Sequence, residues 1–71
     1  MTEKIQITLA AARVNAGLTQ EDVAKSMNVS KNTVVNWEKG KTDIDYSKAK
    51  ALSNLYRMPL DNIIFLHKKS N

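Results

Sequence analysis

The chain has 71 residues, 42% of them hydrophobic, with eleven Lys and Arg against seven Asp and Glu, a net charge of +4 and an isoelectric point near 9.6. That describes one domain near the lower limit at which a single core is self-sufficient, too apolar for a disordered chain and too small to surround a large catalytic cleft. The absence of cysteine excludes disulfides and thiolate metal sites, His67 alone cannot define a metal site, and the basic balance suits a polyanionic partner without identifying one.

The longest apolar run, Ile63-Ile64-Phe65-Leu66, is far too short to span a bilayer, and Met1-Thr2-Glu3-Lys4 has no signal-peptide pattern. The expectation is a soluble, cytoplasmic protein in which residues 1–71 form a single domain, with no repeat, linker or low-complexity stretch. No Ser/His/Asp or Cys/His set and no phosphate-cradling glycine loop argues for an enzyme, and no cofactor or small-molecule effector pocket is evident.

Residues 4–8, Lys-Ile-Gln-Ile-Thr, alternate like a strand. Thr8 caps a first helix over 9–16, with Leu9, Ala12, Arg13 and Ala16 on one face and Gly17 as its left-handed stop. Thr19, with Asp22 three residues on, caps a second helix over 20–27 that turns Val23, Ala24 and Met27 inward. Asn28, which enters the left-handed region cheaply, opens a tight turn ending at Ser30. Ser30 caps a third helix over 31–39 whose inner face is Val34, Trp37 and Glu38, and Gly40 ends it.

Asp45 caps a fourth helix to about Tyr56, with Ala49, Leu52, Leu55 and Tyr56 inward. Met58-Pro59-Leu60-Asp61 breaks it, and Pro59 starts a brief fifth turn over 60–64. Residues 65–68 look extended and are candidates to pair with 4–8. Met27, Met58 and Trp37 read as core, and Tyr46 and Tyr56 as packing residues with wet hydroxyls.

Two helices that cross steeply need a small residue at their closest approach, a residue tolerant of positive φ in the turn, and apolar residues locking the pair. Counting from Gln20, Ala24 fills the fifth position, Asn28 the ninth, and Val23, Met27, Val29, Val34 and Trp37 the apolar slots. Residues 20–39 therefore read as a helix-turn-helix. The plain alternative is a helical hairpin packed against something else.

Gly17-Leu18-Thr19-Gln20-Glu21-Asp22-Val23-Ala24 and Trp37-Glu38-Lys39-Gly40-Lys41-Thr42 resemble the lambda-repressor/Cro type of helix-turn-helix, the XRE family, over roughly residues 8 to 65. The resemblance implies an all-α, compact five-helix lambda-repressor-like DNA-binding domain, with short terminal strands possible. It also implies the role of a phage-type or bacterial transcriptional regulator on double-stranded operator DNA, located on the nucleoid. Asn28 departs from the glycine usual in that turn.

Helical geometry sorts the third helix independently of any family. With Val34 and Trp37 turned to the core, Asn32 and Asn36 stack on the opposite side, flanked by Val35 and Lys39, with Lys31 and Thr33 nearer the N-terminal end. An asparagine amide matches the N6/N7 edge of adenine, and Val35 suits a thymine methyl. A polar helix face is ordinarily just solvated; the helix-turn-helix context makes Lys31, Asn32, Thr33 and Asn36 the candidate base contacts.

Lys39, Lys41 and Thr42, around the turn after the third helix, are candidate phosphate contacts. The resemblance adds Gln20, placed against the DNA backbone, while Glu21 and Asp22 read as dipole and cap partners. Arg13 and Glu38 both fall on core-facing stripes, where a lone charge is costly. The resemblance pairs them, with Arg13 also near a phosphate.

One such helix reaches only about four to six base pairs, so a homodimer on a pseudo-palindromic operator is expected. Its candidate surface is Leu60, Ile63, Ile64, Phe65 and Leu66. The competing reading is a protein-interaction module that uses this fold to cover another protein. It is told apart by salt dependence and by dependence on Asn32 and Asn36.

Overall fold

A computed structural model describes residues 5–66. In chain order these form β1 (Ile7–Thr8), α1 (Leu9–Asn15), α2 (Gln20–Met27), α3 (Lys31–Lys39), α4 (Tyr46–Tyr56), a single 3-10 turn (Leu60–Asn62) and β2 (Ile63–Ile64). Lys4 of the expected first strand, and His67 and Lys68 of the expected last one, lie outside the described residues.

Each α-helix starts on the side chain that the sequence offers as its cap. Thr8, Thr19, Ser30 and Asp45 accept from the backbone N–H three residues on, at 3.1, 3.0, 3.1 and 2.8 Å. At α2 the Asp22 carboxylate also accepts from the Thr19 N–H at 2.9 Å, which closes a full capping box. These acceptors satisfy N–H groups that a helix start leaves without a partner.

The helices also end alike. Gly17, Asn28, Gly40 and Arg57 take left-handed conformations, with φ of 76°, 58°, 73° and 55°. The next residue then donates back over the last turn: Leu18 to Arg13, Val29 to Ala24, Lys41 to Asn36 and Met58 to Ser53, at 2.9–3.2 Å. Such a closure brings the residue after the left-handed one against the helix it has just left, a position that usually carries an apolar side chain. Leu18, Val29 and Met58 follow that rule and pack against the core. Lys41 does not.

The core is Leu9, Ala12, Val23, Ala24, Val34, Trp37, Leu52, Tyr56 and Ile63, one side or more from every α-helix and from β2. Ala24 is buried in α2, which packs on α3 more extensively than any other two elements meet. Val34 and Trp37 seat α3 on this core.

Several expectations need correction. The described residues form four α-helices rather than five: of residues 60–64, only Leu60–Asn62 make a 3-10 turn, and Ile63–Ile64 are extended. Two successive β-branched residues favour the extended form, and here they find a partner. β2 lies parallel to β1, with Ile7 opposite Ile63 and Thr8 opposite Ile64. Two amides bracket the pair: Asn62 Nδ2 donates to the Ile5 carbonyl at 2.7 Å and Gln6 Nε2 to the Asp61 carbonyl at 3.2 Å. The second correction concerns Tyr46, which is not a packing residue. It is 70% exposed, with the Lys50 ammonium 5.6 Å from its ring centre.

Gly40 carries a demand that Gly17 lacks. A Cβ on Gly40 would lie 2.7 Å from the Leu66 Cβ, whereas nothing stands within 4 Å of one on Gly17. Both positions are left-handed, so alanine at either costs about 1 kcal/mol for the backbone alone. Gly40→Ala is expected to cost about 1–3 kcal/mol more through the overlap. Urea melts of Gly17→Ala, Gly40→Ala and Gly40→Ala/Leu66→Gly check this; the double variant, which removes the overlapping Cβ at 66, should recover part of the difference.

Candidate nucleic-acid interface

The face of α3 turned away from Trp37 and Val34 carries Asn32, exposed, and Asn36, half-buried. Among the described residues no hydrogen bond engages either side chain. Each therefore keeps both its donor and its acceptor for an external partner. Val35 is half-buried beside them. Thr33 is half-buried too, and its hydroxyl lies 2.9 Å from the Ser30 hydroxyl, so it is tied into the cap of its own helix.

Lys31 begins the same helix and is already engaged. Its ammonium lies 3.1 Å from a Glu21 carboxylate oxygen on α2. That ammonium, and then Glu21's own backbone N–H, hold the carboxyl below the usual range. Glu21 thus ties one helix start to the other rather than serving its own helix dipole alone, and nothing in its local sequence announces this.

Lys39, Lys41 and Thr42 are all exposed at the C-terminal end of α3. The left-handed Gly40 and the 2.9 Å bond from the Lys41 N–H to the Asn36 carbonyl fix the backbone there. The cation standing where the other three helices place an apolar residue is therefore held beside the asparagine face.

Behind α3, Arg13 and Glu38 meet. Arg13 Nε donates to Glu38 Oε2 at 2.7 Å and Nη2 to Oε1 at 3.4 Å, while Nη1 donates to the Leu18 carbonyl at 3.0 Å. The side chains are 15% and 7% exposed. The Glu38 hydrogen bond raises the Arg13 guanidinium above its ordinary value. One hydrogen on each terminal nitrogen of Arg13 is left over.

Sequence reasoning missed the third member of this cluster. Gln20 Nε2 donates to Glu38 Oε1 at 2.9 Å, so the glutamine assigned to the DNA backbone is also a strut between α2 and α3. Its second amide hydrogen is unused among the described residues. The cluster joins α1, α2 and α3 through one carboxylate.

Tyr56 lies under this cluster, and its hydroxyl is buried with no hydrogen-bond partner among the described residues, contrary to the wet hydroxyl expected. Burial first, then the nearby Glu38 charge, push its ionisation up to about 12, with Arg13 opposing. An unsatisfied buried hydroxyl is a liability, so Tyr56→Phe should be neutral or raise stability by up to about 1 kcal/mol. An unfolded tyrosine ionises near 10 and the folded one at about 12. The contribution of Tyr56 is therefore complete below pH 10 and is lost as the pH rises through 12, because the unfolded state releases its proton first. Melts from pH 9 upward should show wild type losing stability relative to Tyr56→Phe; parallel curves would refute this.

Among the described residues no group of His, Cys, Asp and Glu is arranged to hold a metal ion, and no helix is long and apolar enough to cross a membrane.

The helix-turn-helix family profile matches residues 9–63. The HTH-type transcriptional regulator ImmR of Bacillus subtilis (strain 168) is 36% identical over 56 residues, which are 79% of this chain and 44% of that protein. The chain thus spans less than half the length of the curated relative it matches.

Proposed function

Since the chain belongs to the helix-turn-helix family of the lambda-repressor/Cro (XRE) type, we propose that it is a DNA-binding regulator of transcription, a single domain that inserts α3 into the major groove of a specific operator. The observation that carries this reading is the asparagine pair. Asn32 and Asn36 project from a helix whose back is locked by Val34, Trp37 and the Glu38 cluster, yet no bond within the described fold uses them. Idle polar side chains on a rigid helix are the arrangement that direct base readout requires.

Asn32 and Asn36 are the principal base-reading groups in this proposal, with Thr33 and Lys31 at the leading end of the helix. Gln20, Arg13, Lys39, Lys41 and Thr42 hold the phosphates on either side. Phosphate contacts set register and base contacts set sequence, so the two groups divide the task. The ImmR likeness supports the regulator role, and the free hydrogens on Arg13 and Gln20 support theirs.

The regulator acts as a homodimer, in the manner of Cro-like proteins of phages and bacteria, because one helix reads too few base pairs for useful selectivity. Its dimer surface differs from the apolar segment suggested by the sequence. Ile63 is buried against Ile7 and is unavailable, and Leu60 and Phe65 are half-buried, whereas Ile64, Leu66 and Ile5 are exposed around the strand pair.

Selection of bound sequences from a random duplex library tests the whole reading. The expected outcome is an enriched site with two-fold symmetry and half-sites about one helical turn apart. Enrichment of a single half-site would refute the dimer. No enrichment at any salt concentration would refute sequence-specific binding.

A further inference from the structure

We propose that Glu21 sets how strongly this domain binds DNA irrespective of sequence, by holding the Lys31 ammonium in an ion pair beside the groove-reading face. The inference rests on the duplex-binding role proposed above.

Glu21 is the second residue of α2 and Lys31 the first of α3, so the pair spans the two helix starts that flank the turn. The contact is 3.1 Å, and the side chains are 61% and 54% exposed, which leaves both charges in solvent at the start of the helix that carries Asn32. Held low by the lysine, the Glu21 carboxyl is ionised at neutral pH. The Glu21 charge suits the N-terminal dipole of α2, whose capping is complete through Thr19 and Asp22, but unpaired it would repel a phosphate on this face.

The pair cancels the charge of Lys31 on that face. Sequence-independent affinity grows with each phosphate neutralised, and a free lysine finds a phosphate anywhere along a duplex. A domain with every lysine free would therefore bind widely and discriminate poorly. An exposed pair is screened by water and weak, so the lysine can still exchange partners when a base-edge acceptor is presented in register. Selectivity gained by weakening the wrong complexes is as effective as selectivity gained by strengthening the right one.

A double-mutant cycle on the full chain decides the matter, read by fluorescence anisotropy with a labelled duplex of mixed sequence over a series of salt concentrations. Glu21→Gln should tighten binding about twofold to fivefold near 0.1 M salt, the range an exposed pair can withhold, and steepen the salt dependence by up to about one counterion per protomer. Lys31→Gln alone should weaken binding, since it leaves the Glu21 carboxylate unpaired and facing the duplex. Glu21→Gln/Lys31→Gln should return to the wild-type slope.

Equal tightening by Glu21→Gln with and without Lys31 would mean that Glu21 only repels DNA and restrains nothing, and the inference would fall. So would unchanged affinity in Glu21→Gln. In both cases a salt-dependent wild type leaves the DNA-binding role intact. A wild-type chain that binds no duplex overturns that role and the inference together. Both residues are exposed, and far-ultraviolet circular dichroism of each variant verifies the fold.

Discussion

Glu38→Ala is expected to lower the unfolding free energy by about 2–4 kcal/mol at neutral pH, among the largest effects for a residue outside the apolar core. The substitution leaves the Arg13 guanidinium, 15% exposed, without its carboxylate, and removes the acceptor of the Gln20 amide. A buried charge stripped of its partner costs more than the pair was worth when intact. For a domain of this size, each kcal/mol corresponds to about 4–8 °C in melting temperature. Glu38→Gln keeps the shape and one acceptor oxygen, so it should lose roughly half as much. Thermal and urea denaturation of both variants measure this. A loss below about 1 kcal/mol in Glu38→Ala would show that water screens the pair as it does a surface one.

Asn32→Ala and Asn36→Ala should each weaken binding to the selected operator by about 1–3 kcal/mol per half-site, a cost doubled in a two-fold complex, while binding to mixed-sequence DNA barely changes. The double variant should bind the operator no better than random duplex. Because no bond within the described residues engages either amide, melting temperatures should stay within the range of ordinary surface substitutions. The salt dependence should also persist, since no phosphate contact is assigned to either residue. Operator affinity unchanged by both substitutions would rule out this face as the reading surface.

These two predictions separate the functions of α3. Its inner side holds position through Val34, Trp37 and Glu38, and its outer side is left with Asn32 and Asn36 free. Weakening the inner side should reduce stability first and recognition as a consequence. Weakening the outer side should reduce recognition alone.

Much of this was legible in the sequence because it depends on interactions a few residues long. The starts of all four α-helices follow from Thr8, Thr19, Ser30 and Asp45, each of which bonds the amide three residues ahead. Three of the four ends follow from Gly17, Asn28 and Gly40, whose left-handed tolerance is local chemistry. Which side of α3 is buried follows from the helical period once Val34 and Trp37 are taken as core. The end at Arg57 carries no such signal, since arginine has no preference for that conformation; the Met58 closure and core packing impose it.

What the tertiary structure alone decided are the partnerships between residues distant along the chain. Ile63 pairs with Ile7 in a parallel ladder across fifty-six positions, turning an expected helical segment into a strand. Gln20 joins Arg13 and Glu38, Glu21 takes Lys31, and the Tyr56 hydroxyl is buried without a partner among the described residues. Local propensity is set by each residue and its near neighbours, so it can be read along the chain. A long-range contact is set by how four short helices settle around Trp37 and Leu52, and the competing local preferences are too weak, at about 1 kcal/mol or less, to resist that packing.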